Sequence, residues 1–195
     1  MNAHIWERSD HDWYVEPERC TAQLLTVERF PGWSHDPCCG GGNIVRTLNS
    51  HGFTTTGSDI IQRVSDAPWF LGVSDFLHGP NGLFGADNCI FNPPFYRARG
   101  AEACIRRALE LAPGKVAAFV EKRFTGSETR ANGLFREHPP SREWEVTPRP
   151  SCPPGAYLQA GGKPEGGKVD FVWLVWDAKP ERRKPGELAQ KGWLR

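Results

Sequence analysis

The chain has 195 residues, of which 24% are charged and 38% hydrophobic, and its formal net charge is +1. This length suits one domain with a well-filled core, and the near-neutral charge excludes a protein whose composition alone announces nucleic-acid binding. No run approaches the roughly 18 apolar residues of a membrane span, and residues 1–12 are polar, without the apolar segment of a signal peptide.

Residues 1–12 read as a loose lead. A short amphipathic helix over 22–27, within 20–30, stops at Pro31-Gly32. A weak strand, 33–36, opens into the glycine turn Gly40-Gly41-Gly42. Asn43 is placed to cap a helix that carries Ile44, Val45 and Leu48 and closes near Gly52. Residues 54–60 are β-branched and predict a second strand ending on Asp59. A third apolar patch covers 69–73, just before Ser74-Asp75-Phe76, and a fourth strand covers 89–91. A helix over 101–111, stopped by Pro113-Gly114, precedes a buried strand over 115–120. A helix near 129–136 and a strand near 144–146 follow, then a Pro/Gly-rich connection over 148–168 and a final long strand over 169–176. Residues 178–195 are polar and basic and predict a mobile tail beyond a single domain over 1–177.

Strands alternating with helices at this spacing predict an α/β fold with a mostly parallel, doubly wound sheet. No helix separates the last two strands, which predicts an antiparallel pair at the sheet edge. The six cysteines (20, 38, 39, 89, 104, 152) lack zinc-finger spacing and read as reduced thiols, with no metal site.

In such sheets ligands bind at the carboxyl ends of the strands. Four polar signals stand at four successive strand ends: Asp36 with its glycine turn, Asp59, Asp75 and Asn92. Each acid alone suits a turn or a cap; together they would line one crevice. The glycine run matches neither the dinucleotide fingerprint nor the P-loop. An acid immediately before it repels phosphate and attracts an ammonium, so a nucleoside with an amino-acid end fits both observations. Asp59 is placed to accept from ribose hydroxyls, and Asp75 from an adenine amine with Ile60 and Phe76 against the ring. Asn92-Pro93-Pro94-Phe95 leaves the fourth strand as a stiff corner rich in acceptors, closed by a ring. It also reads as an ordinary Pro-rich strand exit with Phe95 in the core.

Taken together, Asp-Pro-Cys-Cys-Gly-Gly-Gly, Gly57-Ser58-Asp59, Ser74-Asp75-Phe76 and Asn92-Pro93-Pro94-Phe95 resemble the S-adenosylmethionine-dependent amino-methyltransferases. The chain is most similar to the small adenine-specific DNA methyltransferases of phages and prophages. The resemblance implies a Rossmann-like class I methyltransferase fold. It implies that Asp36, Cys38, Gly40 and Gly42 hold the methionine portion of S-adenosylmethionine, Asp59 the ribose, and Asp75 and Phe76, with Ile60, the adenine. Tyr14 to Pro17 resembles the Tyr-x-Thr-Pro element that packs over the methionine end, with Glu16 in place of the Thr. An extra carboxylate there favours the cofactor's ammonium.

The same resemblance makes Asn92, Pro93, Pro94 and Phe95 the catalytic corner. The Asn92 side-chain oxygen and the Pro93 carbonyl would accept the two N–H bonds of a flipped adenine, with Phe95 stacked on the base. Arg97 and Arg99, just after the corner, and Arg149 are candidate phosphate contacts with duplex DNA, which Lys122, Arg123, Arg130 and Arg142 could extend. A cytoplasmic protein of a bacterial or phage-infected cell is implied. Acceptors in RNA or protein glutamine, and a non-catalytic nucleic-acid-binding module, are the alternatives. Oligomeric state is not inferable from the sequence.

Overall fold

The computed structural model of the chain describes residues 12–95, 99–177 and 190–195. Eight strands form one sheet in the order β3-β2-β1-β4-β5-β7-β6-β8. They are β1 (Trp33–Asp36), β2 (Thr54–Asp59), β3 (Phe70–Val73), β4 (Asn88–Phe91), β5 (Val116–Glu121), β6 (Arg142–Val146), β7 (Phe171–Trp176) and β8 (Gln190–Leu194). The helices are α1 (Glu18–Leu24), α2 (Asn43–Ser50), α3 (Arg99–Leu111), α4 (Glu128–Asn132), α5 (Leu134–Glu137) and α6 (Gly155–Gln159). Pairings are parallel throughout except those of β7, which runs antiparallel to both β5 and β6. The α/β, doubly wound class expected from the sequence is the observed one.

Alternation along the central strands explains the two-sided cover. Cys89, Phe91, Ala118, Val120, Val172 and Leu174 face α3, where Ala101, Cys104, Ile105 and Ala108 meet them. Ile90, Ala117, Phe119, Trp173 and Val175 face the other way and meet Cys20 and Leu24 of α1 with Ile44 and Leu48 of α2. Each large side chain buried in this way contributes about 1.5–3 kcal/mol. Phe119 stacks on Phe171 with ring centroids 4.8 Å apart, and the Trp173 indole N–H is satisfied by the Cys20 carbonyl at 3.0 Å.

Three expectations change in detail. The α2 N-cap is Gly42, in the left-handed region at φ 85°; Asn43 is the first helical residue, and its amide donates to the Glu16 carbonyl at 2.8 Å. The helix expected near 129–136 divides at Gly133 into α4 and α5. The antiparallel pair β6 and β7 exists but is not the sheet edge. Every residue of β7 is buried, so it needs cover on both faces and a strand on both sides.

Beyond β6 lies β8, drawn from the stretch expected to be a tail; of that stretch, 178–189 fall outside the described residues. Two features recruit β8. Leu194 inserts into the α1–α2 core, and Gly192 leaves room for the Trp144 ring, which a Cβ there would meet at 2.3 Å. Lys191 pairs with Glu143 at 3.2 Å.

The strand order reverses between β1 and β4. From β1 the chain winds outward through β2 to β3, then returns to pair β4 with the other side of β1. Such a reversal splays the connections apart and leaves a crevice at the carboxyl ends of those two strands. Asp36 ends β1 and Asn92 follows β4, so the fold places both at its mouth.

Candidate active site

A cleft of about 800 Å³, partly open to solvent, occupies this switch point. It is lined from four strand ends: Asp36, Cys38, Gly40 and Gly41 after β1; Asp59 and Ile60 after β2; Asp75 and Phe76 after β3; Asn92 and Pro94 after β4. Residues 12–16 close it from the amino-terminal side, and Cys104 reaches it from α3. The four signals read at successive strand ends therefore share one cavity. Among the described residues Pro17, Gly42, Pro93 and Phe95 are not part of its lining. Pro93 is buried, and Phe95 is half-buried against the α3-side core.

The Asn92 corner is tied to distant segments. Its amide nitrogen donates to the Tyr14 carbonyl at 3.1 Å and to the Glu16 carboxylate at 2.8 Å. A main-chain carbonyl accepts only, so the NH2 group must face Tyr14 and the amide cannot turn over. Both N–H bonds are used inward, and Oδ1 is left without a donor among the described residues. The segment that receives them is itself anchored. Val15 N–H donates to the Pro153 carbonyl at 3.0 Å, Tyr14 bridges Pro154, and Asn43 holds the Glu16 carbonyl.

Asp36 is 1% exposed and accepts the Cys38 N–H at 3.0 Å; no cationic side chain among the described residues pairs with it. Burial drives its carboxyl well above the usual range, and the neighbouring charges of Glu16 and Asp59 raise it further against the opposing Cys38 bond. Glu16, 6% exposed, is pushed up to about 7 by burial, opposed by the Asn92 hydrogen bond and the Arg46 charge. The methionine-end corner is thus a buried acidic pocket short of positive charge. Such a pocket favours a cationic ligand over an anion.

Asp59 is more fully engaged than a free ribose acceptor. Gly40 N–H binds Oδ2 at 2.8 Å, while Ile61 N–H and the Arg63 guanidinium share Oδ1. A carboxylate offers about four acceptor positions, so Asp59 keeps room on Oδ2 for one further donor. Arg63 in turn stacks on Trp13, 4.6 Å from the ring centroid. The Trp13 indole covers Gly40, at φ 52°, where a Cβ would lie 2.5 Å from its nitrogen. The close approach that this glycine permits is made by the protein's own ring. Sequence reasoning missed Trp13 and Arg63, because their positions, one before Tyr14 and four after Asp59, carry no local signal of these contacts.

At the far end, Asp75 Oδ1 accepts the N–H groups of Leu77 and His78 at 2.9 and 3.1 Å, and Oδ2 meets His78 Nδ1 at 3.1 Å. Desolvation is the largest single influence and raises its carboxyl, but these bonds together outweigh it and hold the group below the ordinary range. The Phe76 ring packs edge-on against Phe91 at 6.2 Å within the core, whereas Ile60 is 49% exposed at the cleft. Ile60 therefore offers apolar surface to a flat ligand, while the Phe76 ring is engaged in the core.

The candidate phosphate contacts divide. Arg97 lies outside the described residues, and Arg99 opens α3 seven residues after Asn92. Arg149 pairs with Asp170 at 2.5 Å, Lys122 with Glu145, and Arg142 with Glu28 and Asp177; Arg130 stacks on Phe124. These cations serve internal partners rather than one assembled basic face. All six cysteines are free. Among the described residues no group of three or more His, Cys, Asp and Glu could hold a metal, and no helix is long and apolar enough to cross a membrane.

No protein-family model matches the sequence, and no curated protein matches it. Solved structures share its fold. A Pyrococcus horikoshii protein described as an RNA methyltransferase aligns over 88% of this chain and 91% of its own, at 13% identity and a TM-score of 0.65. A TehB-like S-adenosylmethionine-dependent methyltransferase from Corynebacterium glutamicum aligns over 82% and 86%, at 13% identity and TM-score 0.53. A Vibrio vulnificus protein described as the modification subunit of a type I restriction enzyme aligns over 90% of this chain and 49% of its own, at 12% identity and TM-score 0.54. The chain thus has the Rossmann-like fold of the methyltransferases.

Proposed function

We propose that this chain is a methyltransferase that moves a methyl group from S-adenosylmethionine to the exocyclic amine of adenine in DNA. The observation that carries this reading is the Asn92 amide at the switch point, with both N–H bonds consumed by Tyr14 and Glu16 and Oδ1 left to accept. The acidic corner beside it fits the donor's chemistry: Asp36 is a buried carboxylate that no cationic side chain among the described residues pairs with, and the donor carries both an ammonium and a sulfonium. Asp36 and the main chain of the 38–41 turn would hold the methionine portion. Asp59 Oδ2 would take one ribose hydroxyl, and Ile60 with the Asp75 turn would hold the adenine. When bound, the cofactor supplies an electrophilic methyl on sulfur, whose departure as a neutral thioether needs no acid.

The residues of the chain do the rest. An exocyclic adenine amine is a weak nucleophile because its lone pair is delocalised into the ring. Asn92 Oδ1 and the Pro93 carbonyl accept its two N–H bonds, draw the nitrogen toward tetrahedral geometry and aim the lone pair at the cleft. No strong base is required, because the methylated nitrogen becomes a strong acid that gives its extra proton to solvent after the transfer. His35, the titratable ring of β1, takes no part. It lies buried between Thr56 and Ser58, 2.9 Å from each, and burial lowers its pKa to about 4. The base must leave its duplex to reach the corner, at about a few kcal/mol. DNA as the polymer follows from the motif resemblance, in which Arg97 and Arg99 follow the corner directly in sequence.

The test is methylation with labelled cofactor on unmodified duplex DNA, RNA and protein extract, run with the wild-type chain and Asn92→Ala. The expected result is label on DNA adenine N6, lost by more than about 10³-fold in the variant with cofactor binding retained. Label on RNA or glutamine moves the acceptor and keeps the chemistry. Failure of calorimetry to detect cofactor binding would revive the non-catalytic reading.

A further inference from the structure

The amino-terminal element resembles one that serves the cofactor, yet its carboxylate is directed at the catalytic corner. Glu16 Oε2 accepts from Asn92 Nδ2 at 2.8 Å, whereas no cationic side chain among the described residues pairs with it. Its main chain is pinned by Asn43 through the Glu16 carbonyl, and by the neighbouring Val15–Pro153 hydrogen bond and Tyr14–Pro154 bridge. Pro17, at φ −63°, follows as the residue before α1 and stiffens the approach. A side chain this constrained, on a segment far in sequence from Asn92, has little freedom to do anything but hold that amide.

We propose that Glu16 is a positioning residue for methyl transfer, fixing the Asn92 amide with Oδ1 toward the acceptor amine and, when ionised, strengthening Oδ1 as an acceptor. This rests on the function proposed above and assigns a role within it. The physical basis is amide resonance. A carboxylate that accepts from the NH2 group pulls the N–H protons outward and shifts electron density through the C–N bond onto Oδ1. Hydrogen bonds to an ionised partner are roughly twice as strong as neutral ones, so the polarisation depends on the charge. A protonated Glu16 holds the amide less tightly and withdraws that density.

Several charged or titratable groups influence Glu16. Arg46 of α2 favours its ionised form and Glu18 of α1 disfavours it. Asp36 at the end of β1, Cys20 of α1 and Cys152 of the 148–168 connection are electrostatically linked to it as well. Burial dominates this balance and sets the carboxyl at about 7. The carboxylate is therefore the minor form below that pH and the major form above it, which makes its influence on Asn92 titratable near neutrality. Asp36 is the competing source of any such dependence.

Two measurements separate these possibilities, with Glu16→Gln as the variant because the amide keeps an acceptor oxygen and the volume. First, the Asn92 side-chain NH2 resonances, assigned by their absence in Asn92→Asp, are followed against pH in the ligand-free protein. They are expected to titrate with a midpoint near 7 in the wild type and to lose that transition in Glu16→Gln. Second, single-turnover transfer at saturating cofactor is expected to fall about ten- to hundredfold in Glu16→Gln, with cofactor Kd within threefold. The acid-side decline of the wild-type rate should disappear in the variant. A variant with wild-type transfer rate and weakened cofactor binding assigns Glu16 to the cofactor and overturns the proposal. A pH transition of the Asn92 resonances that survives in Glu16→Gln belongs to Asp36 and overturns it equally. Absence of transfer by the wild-type chain strikes the proposed function instead, and the resonance titration still decides whether Glu16 controls Asn92.

Discussion

At one end of the cleft the Asn92 amide is bonded to residues 76 and 78 positions earlier in the chain; at the other, the Asp75 carboxylate is bonded to residues two and three positions later. The first arrangement exists only once the amino-terminal segment, β4 and the 153–154 turn have met. The second forms in any chain that makes the same local turn. Long-range bonds of the first kind hold a group to one geometry because several independently packed segments specify it, and that is what chemistry at a reacting atom requires. Local bonds of the second kind shape a wall that tolerates small displacements, which is adequate for binding.

The largest expected difference is in transfer rate. Asn92→Ala should lower it by more than about 10³-fold while leaving cofactor Kd within threefold, and Asp75→Ala should leave the rate intact while raising Kd by less than about tenfold. Equal losses in both variants, measured in one single-turnover series, would break the comparison between the two ends. Next in size is Asp36→Asn, expected to weaken cofactor binding by about ten- to hundredfold, read by calorimetry at pH 8. The wild-type affinity has a direction with pH. The Asp36 carboxyl sits well above its ordinary value in the ligand-free protein because of burial, so a cationic ligand beside it must release its proton. Binding should therefore tighten as pH rises, with proton release visible as a buffer-dependent heat that survives in Glu16→Gln. Uptake of protons on binding would contradict the acidic-pocket account.

A smaller effect concerns stability. Glu16 has its pKa raised from 4.5 in the ordinary state to about 7 when folded, so the folded chain holds that proton more tightly. Its contribution is present below pH 4.5 and is lost as pH rises through 7. At pH 8 the buried charge is a net cost of at most about 3 kcal/mol. Glu16→Gln should accordingly raise Tm at pH 8 and change it little below pH 4.5, by thermal unfolding. That outcome sharpens the contrast, because it shows stability given up for charge at the transfer end. Smallest is Asp75→Ala, expected to cost about 0.5–1 kcal/mol from the lost turn bonds at any pH above 5. A cost several times larger would mean that this turn is also fixed by tertiary contacts.

The legibility of the sequence follows the same division. Residues 33–36, 54–59 and 89–91 are readable as strands because apolar and β-branched composition is a local property, and the acids that end them are readable because a strand end is a local event. Asp36, Asp59, Asp75 and Asn92 then fall together by the general rule for sheets of this class. Trp13 and Arg63 were not legible. Nothing near Trp13 in sequence reveals that its ring lies over Gly40, and nothing near Arg63 shows it buried against Asp59. Arg142 and Arg149, read as candidate phosphate contacts, also meet carboxylates 35 and 21 residues away, pairings that no local pattern announces.

The sequence by itself determined the parallel α/β class, the places where strands end and the chemical types of the groups at those ends. Hydrophobic period, turn residues and strand-end polarity act over a few neighbouring residues. Only the tertiary structure decided that β7 enters the sheet beside β5, that residues 190–194 add an eighth strand, and that Glu16 takes hold of Asn92. Those outcomes depend on which surfaces bury each other best among segments far apart in the chain. A buried carboxylate and a buried amide find one another only after that packing has removed the water that would otherwise satisfy both.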